Sequence, residues 1–175
     1  MTRRLLLALA IACAGTLATM TQEIPLEYRV KAAFLYNFVK YVEWPEPRSS
    51  PIKICVAGQN PFGTVLEDVV RDERVRGTPL VTDTILEPLP GCDVIFMPRT
   101  SRVPAYLTAA AGMPILTVGE TPDFIERGGI IRFYLDSGNN VRFEINRAAA
   151  ERANLRISSR LLQLARLVDP VRGTR

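Results

Sequence analysis

The sequence predicts an α/β fold: a single-domain layered sandwich on a mostly parallel sheet of about six strands, with a C-terminal antiparallel hairpin and helices on both faces. Three observations carry this. Short, almost wholly apolar runs alternate with helix-compatible segments, the pattern of parallel strands covered on both sides. Near the end this gives way to polar–apolar alternation, the pattern of a half-exposed hairpin. And 175 residues, 47% hydrophobic and 23% charged, provide for one domain with a proper core and little else.

Taken in order, residues 1–20 read as an export signal. Arg3 and Arg4 supply the positive start, Leu5 to Ala12 the apolar core, and small residues allow cleavage after Ala14 or Ala18. The competing reading is a buried N-terminal helix. "AIAC", ending at Cys13, weakly resembles a bacterial lipobox, though Ala10 stands where leucine is usual; lipoprotein anchoring through Cys13 is the minor alternative.

The stretch "VKAAFLYNFVKYVEWP" belongs to a helix that starts near Pro25, a favoured first position. Glu27 is placed to pair with Lys31 one turn on, and Pro45 should end the helix at Trp44. Lys31, Asn37 and Lys40 interrupt the run, which falls short of the roughly 20 apolar residues of a membrane span. A membrane surface and a soluble core remain. A layered sheet needs helices to cover it, and Phe34, Leu35, Phe38, Val39 and Val42 suit the core.

"PEPRSSP" is a linker, and "IKICVAG" the first strand. "QNPFG" turns the chain into a helix over roughly Pro61 to Asp72. "PLVTDTI" and "DVIFM" are the second and third strands. "SRVPAYLTAAAG" is a helix open to a break at Pro104, and "MPILTVG" the fourth strand. "GGIIRFYLD", the turn "SGNN" and "VRFEIN" form a hairpin at one edge of the sheet, with Arg132, Arg142 and Glu144 on its more exposed face. "RAAAERANL" and "SSRLLQLARLV" close the chain as helices, the last with Ile157, Leu161, Leu164 and Val168 as a core-facing stripe. Residues 170–175 are a flexible tail. There is no internal repeat or low-complexity segment.

Without Arg3 and Arg4 the chain carries 20 basic and 18 acidic side chains. Arg147, Arg152, Arg156, Arg160, Arg166, Arg172 and Arg175 hold much of the excess. Such a face can attract nucleic acid or anionic lipid, but in an exported chain a solvated helix face is the reading adopted; no nucleic-acid partner is expected. With no histidine, Ser-His-Asp and Cys-His catalysis are excluded and a transition-metal centre is not expected. There is no G-x-G-x-x-G opening a helix and no Walker A motif, and no cofactor is expected. Asp83 with Glu87, or Asp93 with Glu120, are acid–base candidates in principle. Nothing in the sequence brings either pair to a substrate, so no catalytic residue is assigned and the chain reads as no enzyme.

The "VAGQNPFG" loop has two readings. A strand leading into a helix N-terminus can cradle an anion or small ligand, through Asn60, Phe62 and Gly63. Asn60 as helix cap and Pro61 as first helical residue explain the loop structurally instead. Cys55 and Cys92 are expected to be disulfide-bonded in an oxidising compartment; two buried free thiols are the alternative.

Six segments in this order, "VKAAFLYNFVKYVEWP", "ICVAGQNPFG", "CDVIFM", "ILTVGE", "GGIIRFYLDSGNNVRFEIN" and "LRISSRLLQLARLV", resemble the YfiR family over about Val30 to Val168. The resemblance implies an α/β domain over residues 24–169, often dimeric, in a periplasmic protein. It implies repression of an inner-membrane diguanylate cyclase by binding its periplasmic part, hence an effect on cyclic di-GMP signalling and biofilm formation. The partner class is a diguanylate cyclase or sensor kinase, and membrane association is indirect. Cys55 and Cys92 match the family's cysteines in the first strand and before the "VIFM" strand. A further cysteine pair of the repressor that names the family is missing here, so redox control through it is not carried over. A periplasmic small-ligand sensor is the alternative function.

Two partner surfaces are expected. Tyr41 and Trp44 form an aromatic anchor at the end of the first helix, unless Trp44 simply caps the core. Arg132, Arg142 and Glu144 flank a hairpin edge whose unpaired backbone groups offer a homodimer contact.

Overall fold

The computed structural model describes residues 23–45, 50–88, 91–99 and 102–168. The expected export signal, Cys13, most of the linker and the 170–175 tail lie outside these residues. In chain order the elements are α1 (Leu26–Tyr41), β1 (Val42–Glu43), β2 (Ile52–Ala57), α2 (Val65–Val70), β3 (Arg74–Val75), β4 (Thr78–Ile85), β5 (Val94–Met97), α3 (Val103–Ala110), β6 (Leu116–Gly119), β7 (Ile131–Leu135), β8 (Val141–Ile145), α4 (Arg147–Arg152), β9 (Arg156–Ile157), α5 (Ser159–Leu164) and β10 (Arg166–Leu167).

The main sheet runs β10-β8-β7-β6-β5-β2-β4-β3. Its middle, β4-β2-β5-β6-β7, is parallel throughout. β8 returns antiparallel to β7 as the expected hairpin, pairing Ile131 with Ile145 and Leu135 with Val141. The runs read as almost wholly apolar are the central strands, and β5 and β6 are buried along their whole length.

Alternation along each strand sends side chains to two cores. Ile54, Val56, Phe96, Val118, Phe133 and Phe143 face α1 and α2; Cys55, Ala57, Ile95 and Met97 face α3 on the opposite side. The α1 helix belongs to the core: Ala32, Leu35, Phe38 and Val39 are fully buried, as is Val42 directly after it in β1. Phe38 stacks on Phe133 at 5.5 Å and meets Phe143 edge-on at 5.1 Å. On the α3 side, Phe124 is clamped between Gly119 and Gly129, where any Cβ would meet its ring at 2.3 and 2.1 Å.

Several details differ from the sequence expectation. The first helix stops at Tyr41, because Val42 and Glu43 turn extended and pair with β9. The second begins at Val65; residues 61–64 form a turn closed by Asn60, whose Oδ1 accepts from the Phe62 N–H at 2.9 Å. Asn60 therefore closes that turn and does not cap the helix. Helix α3 is unbroken, since Pro104 sits in its first turn, where no N–H is needed.

The expected C-terminal stripe does not form. α5 ends at Leu164, which is 71% exposed, and only Leu161 of the helix is buried. Ile157 belongs to β9 and Leu167 to β10, because backbone pairing with β1 and β8 outweighs helix continuation. The Val168 N–H donates to the Ile145 carbonyl at 3.0 Å. So the hairpin is not the sheet's edge: β10 covers β8 at Glu144 and Ile145. The basic residues of the last segments are spread over α4, β9, α5 and β10 and do not line one helix.

Candidate functional site

Strand β2 connects to β4 on one side, and β5 flanks it on the other, so the chain direction switches at the carboxyl ends of β2 and β5. In open α/β sheets that crevice is the usual ligand site. Here the chain itself fills it. Glu120, directly after β6, accepts from the Arg99 backbone N–H and from the Tyr28 hydroxyl, both at 3.1 Å. Its other oxygen takes the ammonium of Lys31, which also donates to Glu27 at 2.5 Å. The Tyr28 ring packs edge-on to Phe62, which follows β2, at 5.5 Å, and Phe62 meets Phe96 of β5 at 4.9 Å. Glu27, Tyr28 and Lys31 share one helix face by their spacing.

Lys31 and Glu120 are 3% and 5% exposed. Burial, reinforced by the Glu120 charge and hydrogen bond, pushes the Tyr28 hydroxyl up to about 12. The network sets one ammonium between two carboxylates, and it pins α1 across three strand ends. Lys31 interrupts an apolar stretch of the sequence, which was the one visible sign of this site; its partner 89 residues away was not legible.

The carboxylate pairs considered from the sequence are not assembled. Asp93 precedes β5 and accepts from the Lys53 N–H at 2.7 Å, at the opposite end of the sheet from Glu120. Asp83 pairs with Lys53 at 3.7 Å, and Glu87 with Arg102 at 2.8 Å. Among the described residues no group of three or more His, Cys, Asp or Glu could hold a metal ion, and no helix is long and apolar enough to cross a membrane.

Cys55 and Cys92 form a disulfide with Cα atoms 5.9 Å apart. It ties β2 to the turn before β5, on the α3 side, next to Met97 and Tyr106.

Trp44 and Pro45 line a groove of about 550 Å³ with Glu43, Glu151, Asn154, Leu155 and Arg156. The β1–β9 pair builds it by bringing the end of α1 against the segment after α4. Tyr41 and Trp44 are half-buried against the main core. Asn154 and Glu151 had no distinguishing signal in the sequence, and Arg156 stood out there only as part of the C-terminal basic excess.

Arg132, Arg142 and Glu144 lie on the hairpin face turned away from α1, but not equally exposed. Glu144 is 3% exposed, because Arg132 Nε at 2.5 Å and Arg166 Nε at 2.9 Å both donate to it. Burial pushes its carboxyl up, and the two arginines more than offset this, holding it below the usual range. Arg142 is exposed and donates to Asp136 at 3.0 Å. The guanidinium carbons of Arg166 and Arg132 lie 4.8 and 5.7 Å from the Tyr134 ring centroid.

In the "QNPFG" loop, Phe62 is fully buried and belongs to the core. Asn60 and Gly63 line a polar cleft of about 360 Å³ with Glu67, Thr82, Asp83 and Thr84. Gly63 has φ +55°, and a Cβ there would meet Ile24 at 2.9 Å.

Comparison with known proteins fits this architecture. A family model described as DUF4154, YfiR/HmsC-like, matches residues 28–166. No curated protein matches the chain at a significant level. Among solved structures, the fold is similar to the crystal structure of a conserved domain protein from Vibrio cholerae O1 biovar El Tor str. N16961, with a TM-score of 0.54 and 16% identity. The match covers 80% of this chain and 59% of that one, a likeness of fold alone. With most of its length under the family model, the chain belongs to the YfiR/HmsC-like family.

Proposed function

We propose that this is a non-enzymatic periplasmic regulatory protein that binds, and represses, the periplasmic part of an inner-membrane signalling enzyme of the diguanylate cyclase class. Family membership supports a regulatory role in cyclic di-GMP signalling. The observation that carries the reading is where the molecule is closed and where it is open. The crevice in which such a sheet would hold a substrate is filled by Tyr28, Lys31 and Glu120, while an open groove runs beside a tryptophan and an arginine, Trp44 and Arg156. Tryptophan and arginine are the usual anchors of protein interfaces.

Tyr41 and Trp44 are the first part of that surface; Arg132, Arg142 and the Glu144 ion cluster are the second. A homodimer through the uncovered part of β8 is a further element of the proposal. The test is a pull-down from inner membranes with the parent chain and with Trp44→Ala, each checked for unchanged thermal stability. Capture of a cyclase or sensor kinase by the parent, lost in Trp44→Ala, is the expected result. Equal capture by the folded variant removes Trp44 as an anchor, and no membrane partner at all removes the regulatory reading.

One observation favours a second reading, a small-ligand sensor: the polar cleft of Asn60, Gly63 and Asp83 lies at the carboxyl ends of parallel strands β2 and β4. Ligand-dependent thermal shifts that disappear in Asn60→Ala support it.

A further inference from the structure

On the α3 side of the sheet, a cleft of about 450 Å³ opens where the end of α3, the Arg127–Gly128 loop and α4 meet. Its volume falls in the range of small-molecule sites, about 300–1,000 Å³. The floor is largely apolar and buried: Ala110, Ile115, Ile130 and Ala153 are each 7% exposed or less. Alanine at both helix ends leaves a hollow that longer side chains would fill.

Two groups in this lining have donors to spare. Thr117, 4% exposed, accepts from the Ile130 N–H at 3.1 Å, and its own hydroxyl proton has no acceptor among the described residues. Arg152 is exposed and has no carboxylate partner among the described residues, unlike Arg127, which is held by Asp123 at 2.5 Å. The cleft's net charge is therefore that of Arg152. The nearby carbonyls at the end of α4 do not compete for a cation: those of Ala149, Ala150 and Glu151 already accept from Ala153, Leu155 and Asn154.

We propose that this cleft binds a small monocarboxylic acid with an unbranched apolar body, its carboxylate against Arg152 and its chain along Ile115 and Ile130. A charge-assisted contact at the rim and a water-excluding floor are the two recognition elements. Helix α4 is a wall common to this cleft and, through Glu151, to the Trp44 groove. The proposal needs nothing from the partner reading.

The test is titration of the ¹⁵N-labelled mature chain with octanoate below its micelle concentration, followed by amide shifts and calorimetry. Saturable binding with shifts at Ala110, Thr117 and Ala153 is expected. Acetate lacks the body and octan-1-ol the carboxylate, and each should bind about tenfold more weakly or worse. Arg152→Glu should weaken octanoate binding by a similar factor, Ala153→Leu should abolish it by filling the hollow, and Arg160→Glu should leave it unchanged. Because Arg152 is exposed, its variant tests the idea even if Ala153→Leu fails to fold. Absence of saturation overturns the site. Equal affinity of Arg152→Glu or of octan-1-ol overturns the carboxylate contact, and equal affinity of acetate overturns the apolar one.

Discussion

Lys31 of α1 and Glu120 after β6, 89 residues apart in sequence, form an ion pair with both side chains almost wholly buried. Removing one member of such a pair strands a buried charge, while the intact pair adds little over apolar packing. Lys31→Ala should therefore cost about 3 kcal/mol or more, since Glu120 then keeps as hydrogen-bond donors the Tyr28 hydroxyl and the Arg99 backbone N–H, both neutral. Glu120→Ala should cost less, because Lys31 retains Glu27, and Glu27→Ala least. Urea unfolding of the three variants gives the order; Glu27→Ala as the worst would refute this account.

The same cluster sets an alkaline limit. The hydroxyl of Tyr28 ionises near 12 in the fold against an ordinary value of 10. Stability from this group is thus complete below pH 10 and lost as pH rises through 12. Tyr28→Phe should flatten the decline between those values in thermal melts.

At the hairpin turn the sign reverses. Asp136 is held down to about 2, chiefly by the Asn140 N–H, then by Arg142, the Asn140 side chain and the Gly138 N–H. Its contribution is present above its ordinary value of 3.8 and lost as pH falls through 2. The amides of Gly138 and Asn140 should shift together in that acid window, and the Asp136→Asn variant should lack the transition.

For the disulfide, the closed loop spans 37 residues, worth roughly 3 to 4 kcal/mol by chain entropy. Cys55→Ala with Cys92→Ala should lower stability by about that amount. The unreduced chain prepared without residues 1–20, and so without Cys13, should take up no alkylating agent when denatured.

Gly119→Ala should destabilise by about 1–3 kcal/mol, the range of overpacked cores, because its Cβ would lie 2.3 Å from the Phe124 ring, which Gly129 blocks from behind. Calorimetric melting checks this, and Phe124→Leu in the same background should recover part of the loss.

The sequence by itself determined the layered fold, because period-2 and apolar-run signals report burial directly. "IKICVAG", "DVIFM" and "MPILTVG" are β2, β5 and β6, and the hairpin is β7–β8. It also favoured the core over a membrane surface for α1, because a layered sheet needs a covering helix, and Leu35, Phe38 and Val39 are indeed buried; it named the two cysteines that bond. Tertiary structure alone decided the rest. Strands of two residues, β1, β9 and β10, exist only because a partner backbone is there to accept them, so no local pattern marks them. The groove at Trp44 follows from one such pairing. Glu144 was expected on the exposed face from its polar position in the alternation, and Arg132 and Arg166 bury it from neighbouring strands. Phe62, read as a loop contact, is core because Tyr28 and Phe96 close over it. The Lys31–Glu120 pair was out of reach for the same reason: a charge in an apolar run announces that a partner is needed, and only the folded chain says which residue supplies it.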